Sequence, residues 1–424
     1  MLPFCAFERK SVMKIGKLLL TTGLMLSVLL SGCQIEEILE YVDNSPINKP
    51  TESNQLTEKE GPFIGFAKTE VESPEEMDPV KLEDLENYTS EYSAYNTYTY
   101  YEHLNQPEKL LYHAYEYALD EAQSCFWIDA RLLEGMERSA AEVLEFLSLD
   151  SAMVGQNYEH RQGEATLSLS EGDTETEAEN YLVVMVDNFE RAELRRKKEA
   201  IEKAEQIVAE MPETATQQEA AEYFYDYLGN NITYETDIEG REYLYTALCE
   251  QRTNCDGYTN AFALLCSMVG IPCVEVISDT PKGEIGHTWN MICLEGQWVH
   301  VDCTVSRGDV TSNCKNCREE RPYFGFSDEL LVYPVLHEEI VPESPEGLSS
   351  VLNVSSGKTK NFINKVKEEF EANDRKFAVI LVGEGDLEEQ INDELVQALN
   401  ISLYYLHYET ADGKTVYYLF NNGG

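Results

Sequence analysis

Cys255, His287 and Asp302 are the residues whose types and spacing suggest nucleophilic chemistry. Cys255 follows Asn254, a good helix cap, and precedes apolar residues at helical spacing, so the thiol falls in the first turn of a predicted helix. A thiol, an imidazole and a carboxylate can act as nucleophile, base and orienting acid. We therefore predict Cys255 as the nucleophile, His287 as its base, and Asp302 as the acid that holds the imidazole.

A predicted β-hairpin carries the histidine and the acid. Residues 285–294 alternate in polarity, and a Glu-Gly turn separates them from a second strand that begins at Gln297. If Leu294 pairs with Gln297, then His287 and Asp302 share one face as a diagonal pair within side-chain reach.

The first turn of a helix favours a thiolate. The partial positive charge there, together with a nearby histidine, can bring a cysteine pKa to about 3.5–7.5. We therefore expect Cys255 to be the fastest-alkylating thiol at neutral pH. Two points stay open: His300, on the same face, is an alternative base, and Gln251 or Asn254 could join the Cys255 backbone N–H as oxyanion donor.

Three ordered motifs resemble those of the transglutaminase-like superfamily. They are Asn-Cys-Asp-Gly-Tyr at 254–258, His-Thr-Trp-Asn at 287–290 and Trp-Val-His-Val-Asp-Cys-Thr at 298–304. The resemblance implies a papain-like α+β fold, with the nucleophile helix packed on an antiparallel sheet. It implies the same roles for Cys255, His287 and Asp302. Many members have Pro after the acid, where this chain has Cys303.

The implied reaction is attack on an amide carbonyl, loss of an amine and formation of a thioester at Cys255. With water as the acceptor, the protein is a cysteine peptidase or amidase, which is the hypothesis we favour. With a lysine amine, it is a protein-glutamine transamidase that crosslinks proteins. The alternative from another class is a non-catalytic module that binds protein or cell-wall polymer on the same fold. The chemistry requires no cofactor.

The remaining cysteines allow several interpretations. Eight cysteines lie between Cys249 and Cys317. Cys314 and Cys317 form a C-x-x-C pair, which could join Cys303 in a zinc site, although the ligand spacing is irregular. A local disulfide or free thiols are favoured, so we assign no metal. A thiol-redox role for this pair is a further alternative, but the motif lacks a helix start. Cys266 is predicted to lie in the core.

The amino-terminal residues resemble a bacterial lipoprotein signal peptide. Lys14 and Lys17 precede an apolar run over 18–30, which is too short to span a bilayer stably. The Leu-Ser-Gly-Cys sequence ending at Cys33 resembles a lipobox, which implies cleavage before Cys33 and lipidation of its thiol. We expect an extracytoplasmic protein that is anchored to the bacterial membrane at Cys33. Its expected substrate is a protein or peptide of the surface or cell wall.

Composition limits the partners. The chain of 424 residues carries a formal net charge of −46, which argues against nucleic acid and against anionic lipid as partners, because both would be repelled. Hydrophobic residues are 43% of the chain, enough for more than one folded core.

We divide the chain into five segments. They are a signal peptide at 1–32, an acidic flexible tether at 33–100, an N-terminal α+β module at 101–212, a transglutaminase-like catalytic domain at 213–335 and a C-terminal βαββ module at 343–424. The tether is acidic, rich in turn residues and poor in apolar periodicity.

Local signals place several elements. A helix is predicted from Pro107, strands at 165–170 and 180–186, and a charged helix at 189–211. Thr216 with Glu219 forms a capping box for a further helix that Gly229 should end.

Overall fold

The computed structural model describes most of the chain after residue 61. The described residues are 62–69, 76–151, 168–170, 181–186, 191–236, 243–280, 286–305, 320–354, 359–374, 376–383, 387, 390–400 and 403–421. The predicted signal peptide with Cys33, the first part of the predicted tether, and the Cys314/Cys317 pair lie outside them. Among the described helices, none is both long enough and apolar enough to cross a bilayer.

The helices and strands alternate in an order typical of an α+β protein. The helices are α1 Leu82–Glu86, α2 Gln106–Asp120, α3 Ala140–Asp150, α4 Arg191–Glu210, α5 Gln217–Asn231, α6 Tyr243–Leu248, α7 Cys255–Met268, α8 Thr359–Ala372 and α9 Val396–Leu399. The strands are β1 Ile64–Ala67, β2 Asp78–Pro79, β3 Cys125–Asp129, β4 Ser168–Ser170, β5 Tyr181–Met185, β6 Thr233–Tyr234, β7 Arg252–Thr253, β8 Cys273–Ile277, β9 Thr288–Leu294, β10 Gln297–Val301, β11 Phe324–Phe326, β12 Val351–Val354, β13 Phe377–Val382, β14 Leu403–Glu409 and β15 Thr415–Asn421.

Within the described residues, the strands form three larger sheets and one short pair. The amino-terminal sheet has the order β2-β1-β3-β5-β4, and the central sheet has the order β11-β10-β9-β8; both are antiparallel. The carboxy-terminal sheet has the order β12-β13-β15-β14, and only its β12–β13 pair is parallel. Strands β6 and β7 pair in parallel. The predicted α+β class is confirmed.

One face of the central sheet is covered by helix α7. Tyr258, Phe262 and Leu265 of this helix are fully buried and belong to the same core as Ile292 and Val299 of the sheet. The helix therefore shows the one-sided apolar spacing predicted from its sequence. Cys266, predicted as a core residue, is fully buried here.

Helix α4 packs into this same core. Its Ala200, Ala204 and Ile207 are buried in the cluster that contains α7. The sequence division placed this helix in the module at 101–212. The structure joins it to the core around α7, because its small apolar residues let the two helices approach closely.

The opposite face of the central sheet is covered by the amino-terminal part of the chain. Val274, Val276 and Met291 share a core with Phe66 of β1 and Phe126 of β3. The central sheet is therefore buried on both faces.

The prediction that 33–100 is a flexible tether is wrong for its described part. Ile64, Phe66 and Tyr100 are 2%, 1% and 0% exposed. The Asp150 carboxylate also accepts hydrogen bonds from the backbone N–H groups of Tyr100 (2.9 Å) and Tyr101 (2.8 Å). The tyrosine rings and this buried carboxylate order a segment whose own apolar periodicity is poor.

The carboxy-terminal module has one more strand than predicted. Its order is β12, α8, β13, α9, β14 and β15, so the predicted βαββ pattern lacked the parallel edge strand β12. The module packs against the chain that follows the central sheet. Tyr408 and Tyr418 share a core with Tyr323 and Leu330, and the Tyr408 hydroxyl donates to the Leu330 carbonyl at 3.0 Å.

The predicted start of helix α5 is confirmed, but its predicted end is wrong. The Thr216–Glu219 capping box is present at the start of α5. Gly229 lies inside α5, is buried and lacks a positive φ, and the helix continues to Asn231. The prediction that Gly229 ends the helix is wrong. The helix extends two residues beyond Gly229, and the buried side chains of Leu228 and of the C-cap residue Ile232 hold this end against the core.

Candidate active site

Helix α7 begins at Cys255, as predicted. The Asn254 side chain accepts a hydrogen bond from the Gly257 N–H at 3.3 Å, which satisfies one free donor of the first turn. A Cβ atom at Gly257 would overlap the Thr253 side chain and lie 2.7 Å from the Tyr243 carbonyl oxygen. Only glycine therefore lets strand β7 and helix α6 lie this close to the nucleophile helix.

The hairpin has the predicted register. Gln297 pairs with Leu294, and the ladder continues to the pair of Val301 with Asn290. Asp302 follows the last paired residue, and its N–H donates to the Tyr323 carbonyl at 2.9 Å. The acid therefore lies where β10 leaves the ladder.

His287 and Asp302 form the predicted pair. His287 Nε2 lies 2.8 Å from Asp302 Oδ2, and each side chain is 13% exposed. The other carboxylate oxygen, Oδ1, accepts from the Thr304 N–H at 3.0 Å, which fixes the carboxylate plane. The backbone N–H of His287 donates a hydrogen bond to Ser278 Oγ at 2.8 Å, which also fixes the backbone at this residue.

The Cys255 sulfur lies beside this pair. The backbone N–H of Thr288, the residue after His287, donates a hydrogen bond to the thiol, and the Asp302 carboxylate is near enough to affect its pKa. Cys255 is half-buried. The structure thus brings the three predicted residues together, and because Nε2 faces Asp302, Nδ1 is the ring nitrogen that the carboxylate does not engage.

The prediction of a lowered thiol pKa is wrong. Burial raises the pKa of the Cys255 thiol well above its usual value, and the neighbouring Asp256 carboxylate raises it further. The backbone N–H groups of Thr288 and Asp256 lower the pKa of this thiol, but by less than burial raises it. At rest Cys255 is therefore a neutral thiol.

Asp256 is the electrostatic neighbour that the sequence prediction overlooked. The residue is 5% exposed, and its carboxylate accepts a hydrogen bond from Asn254 Nδ2 at 2.7 Å. Its position next to the nucleophile, in the first helical turn, was the available clue. The Asn254 amide is thus occupied by Asp256 and by the Gly257 N–H, which argues against Asn254 as the oxyanion donor.

His300 has its own partners. Trp289 Nε1 donates to His300 Nδ1 at 3.0 Å, and His300 Nε2 lies 2.8 Å from Asp328 Oδ1. The side chain is 1% exposed. Burial lowers the pKa of His300 even though Asp328 opposes the shift, so the ring is neutral. With both nitrogens hydrogen-bonded, His300 is not available as the base for Cys255.

The described cysteines Cys249, Cys255, Cys266, Cys273 and Cys293 are free thiols. Cys303 is buried in the core under α7, so its side chain contributes to packing. Among the described side chains, no group of three or more His, Cys, Asp or Glu is arranged to hold a metal ion.

Residues 203–303 match the family model described as the transglutaminase-like superfamily. This segment contains α5, α6, α7 and the central hairpin, so the chain carries a transglutaminase-like domain around the three residues.

Curated relatives are similar over a shorter stretch. The kyphoscoliosis peptidases of Mus musculus and Homo sapiens are 39% and 37% identical to this chain over 70 residues, which is 14% of this chain. The chain spans only 11% of the length of these relatives. A solved structure described as a TGase covers 45% of this chain and 52% of its own, at 16% identity and a TM-score of 0.23.

Proposed function

We propose that this protein is a cysteine peptidase or amidase in which Cys255 attacks an amide carbonyl. The observation that carries the proposal is the His287–Asp302 contact of 2.8 Å beside the Cys255 thiol, at the start of α7. The names of the two curated relatives support peptide hydrolysis, and the transglutaminase-like match supports the thioester route.

The reaction begins from the neutral thiol. His287 Nδ1 takes the thiol proton as the sulfur forms a bond to the carbonyl carbon, and Asp302 stabilises the resulting imidazolium through Nε2. The backbone N–H of Cys255 is the proposed donor to the oxyanion. When the carbon–nitrogen bond breaks, the imidazolium gives its proton to the departing amine, and a thioester remains on Cys255.

The acceptor decides the product. Water, deprotonated by His287, attacks the thioester and releases a carboxylic acid and the free thiol. An amine in place of water would give a new amide, which is the transamidase alternative, and both reactions share every step up to the thioester. We favour water because an extracytoplasmic surface site is in contact with bulk solvent.

The proposal includes the location of the protein. Cleavage before Cys33 and lipidation of its thiol would anchor the chain to the outer face of a bacterial membrane. The substrate would then be a protein or peptide of the surface or cell wall.

Alkylation by iodoacetamide tests the nucleophile and its base. The rate at each thiol of the full chain is followed by peptide mass spectrometry from pH 6 to 10. Because the Cys255 pKa is raised, its rate should still be increasing above pH 9 rather than reaching a plateau below pH 7. Below pH 9, His287→Ala should slow the reaction at Cys255 by about 10²-fold, which is the usual contribution of a general base.

Cys249 provides the internal control, because it is half-buried and its thiol pKa is also raised by burial. Its rate should not respond to His287→Ala. An unchanged Cys255 rate in that variant would favour the non-catalytic binding module.

A second assay uses labelled casein to identify the acceptor. New amino termini that appear with the wild type and are lost in Cys255→Ala would identify hydrolysis. Incorporation of dansylcadaverine would instead identify amine transfer.

A further inference from the structure

We propose that Trp289, His300 and Asp328 act together as a positioning relay that holds the ring of the base His287 in its working orientation. The proposal rests on the proposed function, because it assigns these residues to the orientation of its base. None of the three would touch the substrate, so they are positioning residues rather than catalytic ones.

Contacts lead from the base to Asp328. The rings of His287 and Trp289 are stacked, with centroids 5.9 Å apart and planes 19° from parallel. The Trp289 indole N–H donates to His300 Nδ1 at 3.0 Å, and His300 Nε2 lies 2.8 Å from Asp328 Oδ1. The His300 ring in turn stacks on Phe326, with centroids 5.2 Å apart.

The directions of the hydrogen bonds determine the tautomer of His300. Because Nδ1 accepts from the indole, the proton of the neutral ring must lie on Nε2, which then donates to Asp328. The other Asp328 oxygen accepts from the Ser344 N–H at 2.7 Å, and the Asp328 N–H donates to the Ser344 carbonyl at 2.9 Å. The relay therefore ends on backbone groups of a neighbouring segment.

The hydrogen bond to Asp302 does not by itself fix the orientation of the His287 ring, so a second constraint on its plane is needed. The hydrogen bond from Nε2 to Asp302 fixes the direction of one ring atom, but the ring can still turn about that direction. The stacked Trp289 ring restricts the plane, and the plane decides where Nδ1 points. Tyr333, with its ring centroid 5.4 Å from that of His287, adds a further contact. Misplacement of a reacting group by about 1 Å can cost about 10²-fold in rate.

Substitutions of His300 separate the relay from simple packing. In His300→Asn, the amide oxygen can occupy the position of Nδ1 and accept from the Trp289 indole. His300→Phe keeps a flat ring but offers no acceptor. Trp289→Phe removes the indole N–H from the other side.

The experiment measures the rate of Cys255 alkylation by iodoacetamide at pH 7.5 in the full chain. Each substitution is made in two backgrounds, one with His287 present and one carrying His287→Ala. With His287 present, His300→Phe and Trp289→Phe should each lower the rate about 10-fold. His300→Asn keeps the acceptor for the indole but cannot reach Asp328, so it should lower the rate only about threefold, as Asp328→Ala should. In the His287→Ala background, the same substitutions should change the rate by less than about twofold, because the relay acts only through that ring.

Two further variants keep the test informative if a buried substitution disturbs folding. His113→Phe is the matched control, since His113 is 8% exposed and its ring nitrogens contact Tyr101 and Glu116, outside the site. It should leave Cys255 alkylation unchanged. Asp328→Ala removes the anchor of the relay from a side chain that is 42% exposed, so the fold should persist while the rate falls about threefold or more.

Each outcome separates the two proposals. If His287→Ala slows alkylation but His300→Phe, Trp289→Phe and Asp328→Ala do not, the relay is wrong and the proposed function stands. Equal loss in His300→Asn and His300→Phe would reduce His300 to a packing residue. If His287→Ala itself has no effect, the proposed function fails, and the relay fails with it because it acts only through that ring.

Discussion

At the scale of single residues, the state of the thiol depends on which electrostatic effect is larger. A helix N-terminus stabilises a nearby anion by about 0.3–1 kcal/mol, which is less than one pKa unit. Burial can shift a pKa by several units in the opposite direction. For Cys255, burial and the Asp256 carboxylate together raise the thiol pKa by more than the two backbone N–H donors lower it. A neutral thiol makes the position of His287 decisive.

Asp302→Asn tests how far the base depends on its carboxylate. An amide at this position keeps the shape but cannot stabilise the imidazolium that forms during attack, and it allows the wrong imidazole tautomer. Casein hydrolysis should fall by about 10²–10⁴-fold in kcat with little change in KM.

The control for this substitution is Asp412→Asn, because Asp412 hydrogen-bonds Thr410 in the C-terminal hairpin turn and lies outside the site. It should leave kcat unchanged. A kcat for Asp302→Asn within threefold of the wild type would remove Asp302 from the proposed site.

At the scale of elements, the parts of the site that local sequence signals encode were predictable. Asn254 as a cap and the apolar spacing after Cys255 predicted the start of α7. The two-residue turn after Leu294 predicted the register, and with it the approach of His287 to Asp302. These signals work because helix caps and two-residue hairpin turns constrain the backbone within a few residues.

The parts that depend on distant partners were not predictable. Asp328 lies 28 residues from His300, and no local pattern marks it as the partner of a buried histidine. The residues around Tyr100 show no strand or helix period. They are ordered by Asp150, 50 residues away, and by burial against the central sheet. The edge strand β12 pairs with β13, which lies beyond helix α8 in the chain, so no local hairpin signal marks it.

Gly257→Ala tests the fit between α7 and its neighbours. The added methyl group would overlap the Thr253 side chain and approach the Tyr243 carbonyl, so α7 or strand β7 must move. We expect the free energy of unfolding to fall by about 1–3 kcal/mol, as for other overpacked sites, and Cys255 alkylation to slow. Urea unfolding followed by circular dichroism measures the first effect.

Gly383→Ala is the matched control for this substitution. A Cβ atom there meets nothing within 4 Å, and its φ is not positive. It should change the free energy of unfolding by less than about 0.5 kcal/mol. Equal stability of the two variants would show that α7 tolerates movement at its first turn.

At the scale of the whole molecule, the central sheet connects the modules. One face packs on α7 and α4, and the other packs on the amino-terminal sheet and helices. The Tyr100 hydroxyl donates to the Glu275 carbonyl of β8 at 2.9 Å, so the amino-terminal part also holds the backbone of this sheet. The carboxy-terminal sheet packs on Tyr323, whose carbonyl accepts from the Asp302 N–H. The site therefore depends on residues well beyond 203–303.

The charge of the whole chain predicts how stability responds to salt. A net charge of −46 makes the folded state repel itself, and salt screens this repulsion more than it weakens the few exposed ion pairs. Raising NaCl from 20 mM to 500 mM at pH 7 should stabilise the folded state by about 1–2 kcal/mol, and thus raise the thermal midpoint by a few degrees. Differential scanning calorimetry of the full chain measures the shift.

Near pH 4.4, the isoelectric point of the sequence, the same change in salt should have almost no effect, because little net charge remains to be screened. A midpoint that falls with salt at pH 7 would mean that attractive ion pairs, not overall repulsion, dominate the electrostatic free energy of this fold.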